Sequence, residues 1–305
     1  VRFPVYNSLN QAPGSHTSEA LLRAIEKEKP DLIVFKGLGF RFAQWLVLNC
    51  RHKFRFAFIC AGGTKDILTP FSDYILAETQ EQIDNHFKAH KKAGRASVLP
   101  KLNLRRSSQR GLKKEYDVIN VGSFTKNKNQ AALMPLAKDF QLAMIGDGEC
   151  FQYVKTIAEQ NDIKIFTPGN LPREQVLLLI ARSRLMVHTS HSEGLARVVM
   201  EAFACGVPVV ASKRAMPNAF EHGVQGLLVE PEEIISAARE LLADENRLLQ
   251  MGENAYRYAA ENCTLDNGHK ATQKMYDVVS HKPAAFQHRL RDYTALRARA
   301  NCAST

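Results

Sequence analysis

Residues 190–212, SHSEGLARVVMEAFACGVPVVAS, constrain the fold of this chain more than any other stretch. The apolar run LMVHT comes just before the small-residue loop, and a second apolar run, PVVAS, ends the stretch. This pattern predicts a strand, a loop, a helix, a tight turn and a second strand. The segment is therefore expected to form part of a βαβ unit, the building block of parallel α/β sheets.

The helix in this stretch is expected to begin near Leu195. Ser192 can cap a helix, and the carboxylate of Glu193 suits the positive end of the helix dipole. Gly206 and Pro208 would end the helix. The predicted apolar face of this helix consists of Val198, Val199, Ala202 and Phe203.

Two carboxylates, Glu193 and Glu201, lie at the two ends of this predicted helix. Eight helical steps of about 1.5 Å would place them about 12 Å apart along one side of the element. First-turn amides have no partner within a helix, and the helix dipole adds positive potential, so they suit an anion such as a diphosphate. We predict that the amides of Leu195, Ala196 and Arg197 form such a site. Taken alone, either Glu could equally be a surface charge.

The segment as a whole resembles the retaining glycosyltransferases of family 4, the "glycosyl transferases group 1" domain of GT-B architecture. The resemblance rests on the loop before Glu193 and on the run E-A-x-A-x-G-V-P-V-V from Glu201. It implies that Glu193 faces the donor sugar and that Glu201 accepts hydrogen bonds from the ribose diol. It also implies an α/β fold with two Rossmann-like domains facing across a cleft.

A second stretch, VGSFTKNKN, is similar to the family's V-G-R-x-x-x-x-K-G. Gly122 and Lys128 match the Gly and the Lys, but Ser123 stands where the family has Arg. The resemblance implies that this loop meets the donor phosphates, whose neutralisation would then rest on Lys128 and the helix amides. Asn218 is another departure, because the family's motif P-E-x-x-x-x-G-x-N-G carries Glu at that position.

A third stretch, MIGDGEC, contains the family's G-D-G, and Gly146 is expected to allow a tight turn after a strand. The strand IKIFTPG follows further on. In related enzymes the backbone after this strand lies against the nucleobase. The resemblance therefore makes Phe166, Gly169 and Leu171 candidate pocket residues.

The N-terminal region alternates predicted strands and helices, with glycines at strand ends, which indicates a doubly wound α/β domain. Gly62 and Gly63 are the candidate acceptor-side residues there. The family commonly has a His in this region, but ICAGGTKD has none. By the family's standard the domain is short, so we expect either a missing N-terminal piece or a trimmed domain.

The predicted domains are residues 1–104, a basic linker over 105–115, a nucleotide-sugar-binding domain over 116–281 and a basic tail over 282–305. The last helix of the third segment, HKATQKMYDVVS, resembles the family helix that crosses back to the first domain. The tail suggests a basic amphipathic helix, with disorder as the alternative.

Charge is concentrated between His86 and Lys114, where ten Lys or Arg residues occur without any Asp or Glu. This excess predicts attraction to an anionic membrane surface or an anionic acceptor, with a solvated loop and helix face as the alternative. Nucleic acid is not expected, because aromatic residues for base stacking are not interleaved with these charges. No apolar run approaches the roughly 20 residues of a membrane span, and no stretch reads as a signal peptide.

The six cysteines are scattered without a C-x-x-C pair, so the sequence predicts neither a metal site nor a disulfide framework. A reducing cytoplasmic location fits this pattern. The basic residues add the prediction of peripheral attachment to the inner membrane face. The resemblance implies transfer of a sugar from a UDP- or GDP-sugar to a saccharide or lipid-linked acceptor, in cell-surface polysaccharide or glycolipid synthesis, without a cofactor. Two alternatives stay open. One is a sugar-nucleotide epimerase or hydrolase of the same fold, and the other is a non-catalytic sugar-nucleotide binder.

Overall fold

A computed structural model of the chain describes residues 17–51, 54–60, 66–100, 111–217 and 219–280. The chain divides into two compact units, one formed by Val1–Leu99 with His269–Thr305 and the other by Pro100–Gly268. Residues 1–16 and the predicted basic tail over 282–305 lie outside the described residues.

The described part of the first unit holds a four-stranded parallel sheet in the order β1-β2-β3-β4. The strands are β1 (Leu32–Lys36), β2 (Arg55–Ile59), β3 (Tyr74–Ala77) and β4 (Ala96–Val98). The helices are α1 (Glu19–Glu28), α2 (Arg41–Asn49), α3 (Gln80–His86) and α4 (Lys88–Lys92), with a 3₁₀ turn over Thr69–Phe71. Every residue of β3 is buried, as expected for a parallel strand covered on both faces.

The second unit contains a six-stranded parallel sheet in the order β10-β9-β8-β5-β6-β7. Its strands are β5 (Tyr116–Val121), β6 (Leu142–Ile145), β7 (Ile165–Gly169), β8 (Ser183–His188), β9 (Val209–Ser212) and β10 (Gly226–Val229). Its helices are α5 (Met134–Ala137), α6 (Phe151–Gln160), α7 (Arg173–Ala181), α8 (Arg197–Ala204), α9 (Ile234–Ala243) and α10 (Glu245–Asn262), with 3₁₀ turns over Gln130–Leu133 and Pro231–Glu233.

This strand order is that of a doubly wound dinucleotide-type fold, in which the direction of winding reverses between β5 and β8. Alternate residues of the central strands enter different cores, because successive side chains of a strand point to opposite faces. Ile119 and Met186 join the core beneath α7, α8 and α10, whereas Val118 and Leu185 join the core beneath α5, α6 and α9. Helices therefore cover both faces of the sheet.

The last described helix, α11 (Leu265–Ser280), belongs mainly to the first unit. Its residues Ala271, Met275 and Val279 are buried in one cluster with Tyr74 and other residues of β2 and β3. No helix in the described ranges between residues 17 and 280 combines the length and apolarity needed to cross a bilayer.

Part of the predicted linker is anchored to the second unit. Lys114 is exposed as a whole, but its Nζ is partly buried and donates to the carbonyl oxygen of Ala181 (2.9 Å) at the end of α7. Burial lowers the pKa of this ammonium group. The backbone N–H of Glu115 also donates to the Arg182 carbonyl (2.7 Å). The ammonium group of Lys114 thus satisfies the carbonyl end of α7 while the residue stays exposed to solvent.

Candidate functional site

The carboxyl ends of β5 and β8 lie side by side at the point where the winding of the second sheet reverses. Ligands of doubly wound folds bind in the crevice outside these strand ends. The loop after β5 carries Gly122, Ser123 and Lys128, and the loop after β8 carries Glu193. Two of the sequence-predicted stretches are therefore neighbours at the place where this fold class binds its ligands.

The loop after β5 folds back so that Lys128 passes over Gly122. The Cδ and Cε atoms of Lys128 would lie 3.7 Å from a Cβ placed on Gly122. Buried Gln130 supports the loop from below, because its Nε2 donates to the Ser123 carbonyl (2.9 Å). Asn129 adopts a left-handed conformation, with φ of 51°, at the position where the family motif has Gly. Asn tolerates this conformation better than most residues, so the departure from Gly still permits the turn.

Asn127 joins the loop after β5 to the loop after β8. Its side chain bonds both backbone groups of Ser192, accepting from the N–H (3.1 Å) and donating to the carbonyl (2.9 Å). Its own carbonyl accepts from the His191 N–H (2.8 Å), and the Thr189 hydroxyl donates to the Lys128 carbonyl (2.8 Å). These bonds hold the two loops together. Asn127 was not among the residues predicted from the sequence, where its one distinguishing feature is its position next to Lys128.

The two predicted catalytic side chains contact each other. Lys128 Nζ donates to Glu193 Oε1, and the Ser190 hydroxyl donates to the same oxygen (2.9 Å). Both charged side chains are largely enclosed, with exposed fractions of 25% for Lys128 and 16% for Glu193. Burial opposes ionisation of Glu193, but its bonds from Lys128 and Ser190 hold its pKa below the usual value. The carboxylate is thus charged at neutral pH.

His188 forms the floor beneath this pair, at the end of β8. Its side chain is 3% exposed, and its Nε2 lies 3.7 Å from Glu193 Oε1. Burial, together with the nearby Lys128, lowers the pKa of His188 to about 4, although Glu193 opposes the shift. Its Nδ1 has no hydrogen-bond partner among the described residues. His188 is therefore a neutral imidazole at neutral pH. It was not predicted as a site residue, because the run LMVHT indicates only an apolar strand.

The helix α8 begins later than the sequence predicts. It starts at Arg197, with Ala196 as its N-cap residue, and no side chain caps it. Ser192 does not serve as the cap because Asn127 holds its backbone in the loop. The expected separation of about 12 Å between Glu193 and Glu201 therefore does not apply, since Glu193 lies outside the helix.

The late start also corrects the predicted anion site. Leu195 and Ala196 precede the helix, and both side chains are buried in the core beneath α8. Arg197 and Val198 are the first two helical residues, whose amides have no intrahelical partner. Of the three predicted amides, only that of Arg197 lies in the first turn.

Glu201 lies inside α8 and is 7% exposed, so the reading as a solvated surface charge is wrong. Its Oε1 accepts from Arg173 Nε at 3.1 Å, and Arg173 is the first residue of α7. Burial raises the pKa of Glu201, while Arg173 and Arg197 oppose that shift. Arg173 was not identified from the sequence, because nothing local to it indicates a carboxylate 28 positions away.

The three predicted base-pocket residues separate in the structure. Gly169 ends β7, has φ of 85°, and accepts from the Gly146 N–H (3.0 Å), so it lies at the carboxyl edge. Leu171 is partly buried against the core beneath α8. Phe166 stacks on Tyr116, with ring centroids 5.4 Å apart, and Tyr116 is the first residue of β5. Phe166 therefore faces the amino half of the sheet, away from the edge where the pocket was expected.

The remaining candidates are distributed differently. Ser123 is exposed in the loop after β5. Gly62, Gly63 and Asn218 lie outside the described residues, so their assignments stay predictions.

Known structures resemble this chain across most of its length. HepE of Anabaena in complex with UDP-glucose superposes with a TM-score of 0.66 at 18% identity, covering 84% of this chain and 81% of that one. The pneumococcal O-GlcNAc transferase GtfA, in complex with UDP and GlcNAc, gives a TM-score of 0.66 at 19% identity, covering 91% and 63%. The fold is therefore α/β and of the GT-B type, as the sequence predicts.

Sequence comparison gives the family. Residues 104–258, more than half of the 305 residues, match the family described as "Glycosyl transferases group 1". The chain belongs to this family, which confirms the resemblance of its motifs to the glycosyl transferases group 1 domain.

Two curated relatives show how far the similarity extends. N-acetyl-alpha-D-glucosaminyl L-malate synthase of Bacillus anthracis is 31% identical over 161 residues, which cover 47% of this chain and 42% of that protein. GDP-mannose-dependent alpha-mannosyltransferase of Corynebacterium glutamicum is 32% identical over 137 residues, covering 43% and 32%. The chain thus spans less than half the length of these relatives.

Proposed function

We propose that this chain transfers a sugar from a nucleoside-diphosphate sugar to an acceptor hydroxyl, with retention of the anomeric configuration. The observation that carries the proposal is the contact between Lys128 and Glu193 at the reversal point of the second sheet. A cation for a phosphate and a carboxylate for a sugar lie together at the edge where this fold class binds nucleotides. Membership of the family supports the same activity.

In the proposed reaction, the bond between the anomeric carbon and the diphosphate oxygen breaks while the acceptor oxygen forms a new bond to the same carbon. The acceptor proton passes to an oxygen of the departing diphosphate. Lys128 and the amides of Arg197 and Val198 stabilise the charge that grows on the diphosphate, which is the main contribution that fixed positive groups can make. No cofactor takes part in this scheme.

Glu193 faces the donor sugar in this proposal. Its position next to Lys128 means that the arriving diphosphate competes with Glu193 for the same ammonium group. Ser190 remains bonded to the carboxylate and limits the cost of that exchange. The Lys128–Glu193 pair thereby keeps both side chains ordered before the donor arrives.

For substrates, we propose a UDP- or GDP-sugar as donor and a saccharide or lipid-linked acceptor. The names of the relatives include a GDP-mannose-dependent transferase, and HepE and GtfA were solved with UDP or UDP-glucose. Synthesis of a surface polysaccharide or glycolipid on the cytoplasmic side of a membrane would suit such substrates.

One observation favours a second candidate, a non-catalytic sugar-nucleotide binder. Ser123 occupies the position of the family's Arg and is exposed in the loop after β5. A site with one fewer cation has less charge to stabilise a departing diphosphate, although it could still hold the ground-state donor.

Turnover of labelled donors decides between the two candidates. We expect wild-type protein to release UDP or GDP from at least one of UDP-glucose, UDP-GlcNAc and GDP-mannose, faster with a saccharide acceptor than without it. The product should keep the donor's anomeric configuration by NMR. Saturable nucleotide binding without turnover would establish the binder, and acceptor-independent release would indicate a hydrolase.

We also propose that the basic surface of α4 contacts anionic membranes. His90 is buried and its Nε2 lies 3.1 Å from the Ser72 hydroxyl, which turns Lys88, Lys91 and Lys92 outward to solvent. Each Lys or Arg near an anionic surface contributes about 1 kcal/mol. Lys91 forms an ion pair with Asp84 (2.7 Å), so Lys88 and Lys92 are the α4 charges expected to contribute most to binding at low salt.

Sedimentation with lipid vesicles measures this attraction. Binding to phosphatidylglycerol vesicles is expected to fall steeply with salt and to be absent for phosphatidylcholine vesicles. Lys88→Glu combined with Lys92→Glu should weaken it at least about tenfold, on the scale of two reversed charges. The control pair, Lys138→Glu with Lys164→Glu, makes the same charge change on exposed residues of the second unit. Equal losses from the two pairs would contradict a role for α4.

A further inference from the structure

The contact between Arg173 and Glu201 joins two helices that both begin near the carboxyl edge of the second sheet. Arg173 uses only its Nε, which donates to Glu201 Oε1 at 3.1 Å. Its side chain is 55% exposed, whereas that of Glu201 is 9% exposed. Among the described residues, neither the terminal guanidinium nitrogens of Arg173 nor Oε2 of Glu201 has a hydrogen-bond partner. Oε1 of Glu201 is thus bonded to Arg173, and Oε2 remains available to accept a hydrogen bond from a ligand.

We propose that Arg173 is a positioning residue for ribose recognition, which holds Glu201 charged and turned so that Oε2 can accept from the ribose diol. The inference rests on the proposed function and on the contact between Glu201 and the ribose that the family resemblance implies. It adds a second residue, from a different helix, on which discrimination between ribose and deoxyribose depends.

The flexibility of a Glu side chain explains why Glu201 needs a second residue to orient its carboxylate. Rotation about the last bond of a Glu side chain is broad, so an unsupported carboxylate would present its oxygens in many directions. A hydrogen bond between charged groups is stronger than one between neutral groups, and the bond from Arg173 Nε restricts the position of Oε1. Because Arg173 engages Oε1 alone, it fixes the carboxylate plane while leaving Oε2 available.

The charge environment of Glu201 points the same way. Burial raises its pKa, and the opposing charged groups are Arg173 from α7 and Arg197 from α8 itself. Helix α10 also packs against α8, and it contributes Ala255, Tyr258 and Ala259 to the core beneath α8. Loss of Arg173 would therefore raise the pKa of Glu201 further. A protonated carboxyl accepts hydrogen bonds more weakly, so ribose recognition should fail at a higher pH than in the wild type.

The test compares binding of UDP with 2′-deoxy-UDP, and of GDP with 2′-deoxy-GDP, by calorimetry between pH 5.5 and 8.5. We expect wild-type protein to prefer the ribonucleotide about tenfold, the scale of one hydrogen bond to a charged group. Arg173→Gln should reduce that preference about threefold at pH 8 and by a larger factor at lower pH, because the pKa of Glu201 rises when Arg173 is lost. Arg173→Lys, which restores the charge without the planar fork, should recover most of the preference at pH 6.

Two further variants separate positioning from general damage. Arg182→Gln removes an arginine at the other end of the same helix, where its partner is Glu115 (3.0 Å), and should leave the preference unchanged. Glu201→Gln should abolish the preference at every pH, and adding Arg173→Gln to it should change nothing more, because residues that act through one contact are not additive. Thermal melts of all variants check folding.

The outcomes also separate this inference from the proposed function. If the wild type binds a ribonucleotide with the expected preference and Arg173→Gln keeps it across the pH range, the inference is overturned and the proposed function stands. If the wild type binds none of the four nucleotides, the donor site itself is wrong and the inference is overturned with it.

Discussion

Replacing Lys128 by alanine is expected to lower kcat about a hundredfold or more, on the scale seen when one preorganised electrostatic donor is removed. With Ser123 at the position of the family's Arg, Lys128 is the one cationic side chain of its loop that the structure places over Gly122 and against Glu193. In the proposed reaction, charge on the diphosphate grows as the sugar bond breaks, so Lys128 would interact more strongly with the transition state than with the ground state. The expected change in donor affinity is therefore much smaller than the change in kcat.

The same substitution should alter the pH dependence of the reaction. Lys128 offsets the effect of burial on Glu193 and keeps the pKa of its carboxyl low. Without Lys128 that pKa rises, so Glu193 takes up a proton at a higher pH. The acid limb of the kcat profile is therefore expected to move toward neutral pH in Lys128→Ala.

Single-turnover kinetics and nucleotide calorimetry make the measurement, with Lys126→Ala as the matched control. Lys126 lies in the same loop and is exposed to solvent, so its loss should change kcat less than about twofold, the usual scale for a surface position. An active wild type whose kcat survives Lys128→Ala would remove Lys128 from the phosphate site. The charge would then have to come from Arg197 and the first-turn amides of α8.

The strands and the family motifs could be predicted from the sequence because their signals are local. Strands β8 and β9 are buried along most of their length, so they read as apolar runs, LMVHT and PVVAS. The end of α8 was equally readable, because Gly206 has φ of 70° and Pro208 follows it. The resemblance in turn brought Lys128 and Glu193 to one site, and the structure places them in contact.

Contacts between distant parts of the chain account for what the sequence did not show. The start of α8 was wrong because Asn127, 65 positions earlier, holds the backbone of Ser192. Arg173 was overlooked because its partner, Glu201, lies on another helix. Phe166 was assigned to the pocket because it lies in the strand IKIFTPG. The sequence of that strand does not show that its ring stacks on Tyr116. In each case a local pattern competed with a tertiary contact, and the tertiary contact determined the geometry.

Gly146 occupies a tight position at the carboxyl edge of the second sheet, where the donor phosphates are proposed to bind. Its φ is +137°, and a Cβ placed there would lie 2.0 Å from the carbonyl oxygen of Gly122. The N–H of Gly122 donates to the Ile145 carbonyl (3.0 Å), and the N–H of Gly146 donates to the Gly169 carbonyl (3.0 Å). The first Gly of the G-D-G motif therefore sets the separation between the loops after β5, β6 and β7.

Gly146→Ala is accordingly expected to destabilise the protein by about 3–5 kcal/mol, the sum of backbone strain and an overpacked contact. The control is Gly223→Ala, where φ is +83° but no atom lies within 4 Å of the added Cβ, so only strain of about 1 kcal/mol is expected. Urea unfolding of both variants gives the difference in the free energy of unfolding.

Gly146→Ala should also weaken UDP or GDP binding at temperatures where it stays folded, because the Gly122 carbonyl must move to admit the methyl group. Gly223→Ala should leave nucleotide binding unchanged. Equal stabilities for the two variants would show that the close approach between Gly146 and Gly122 does not hold the loops apart.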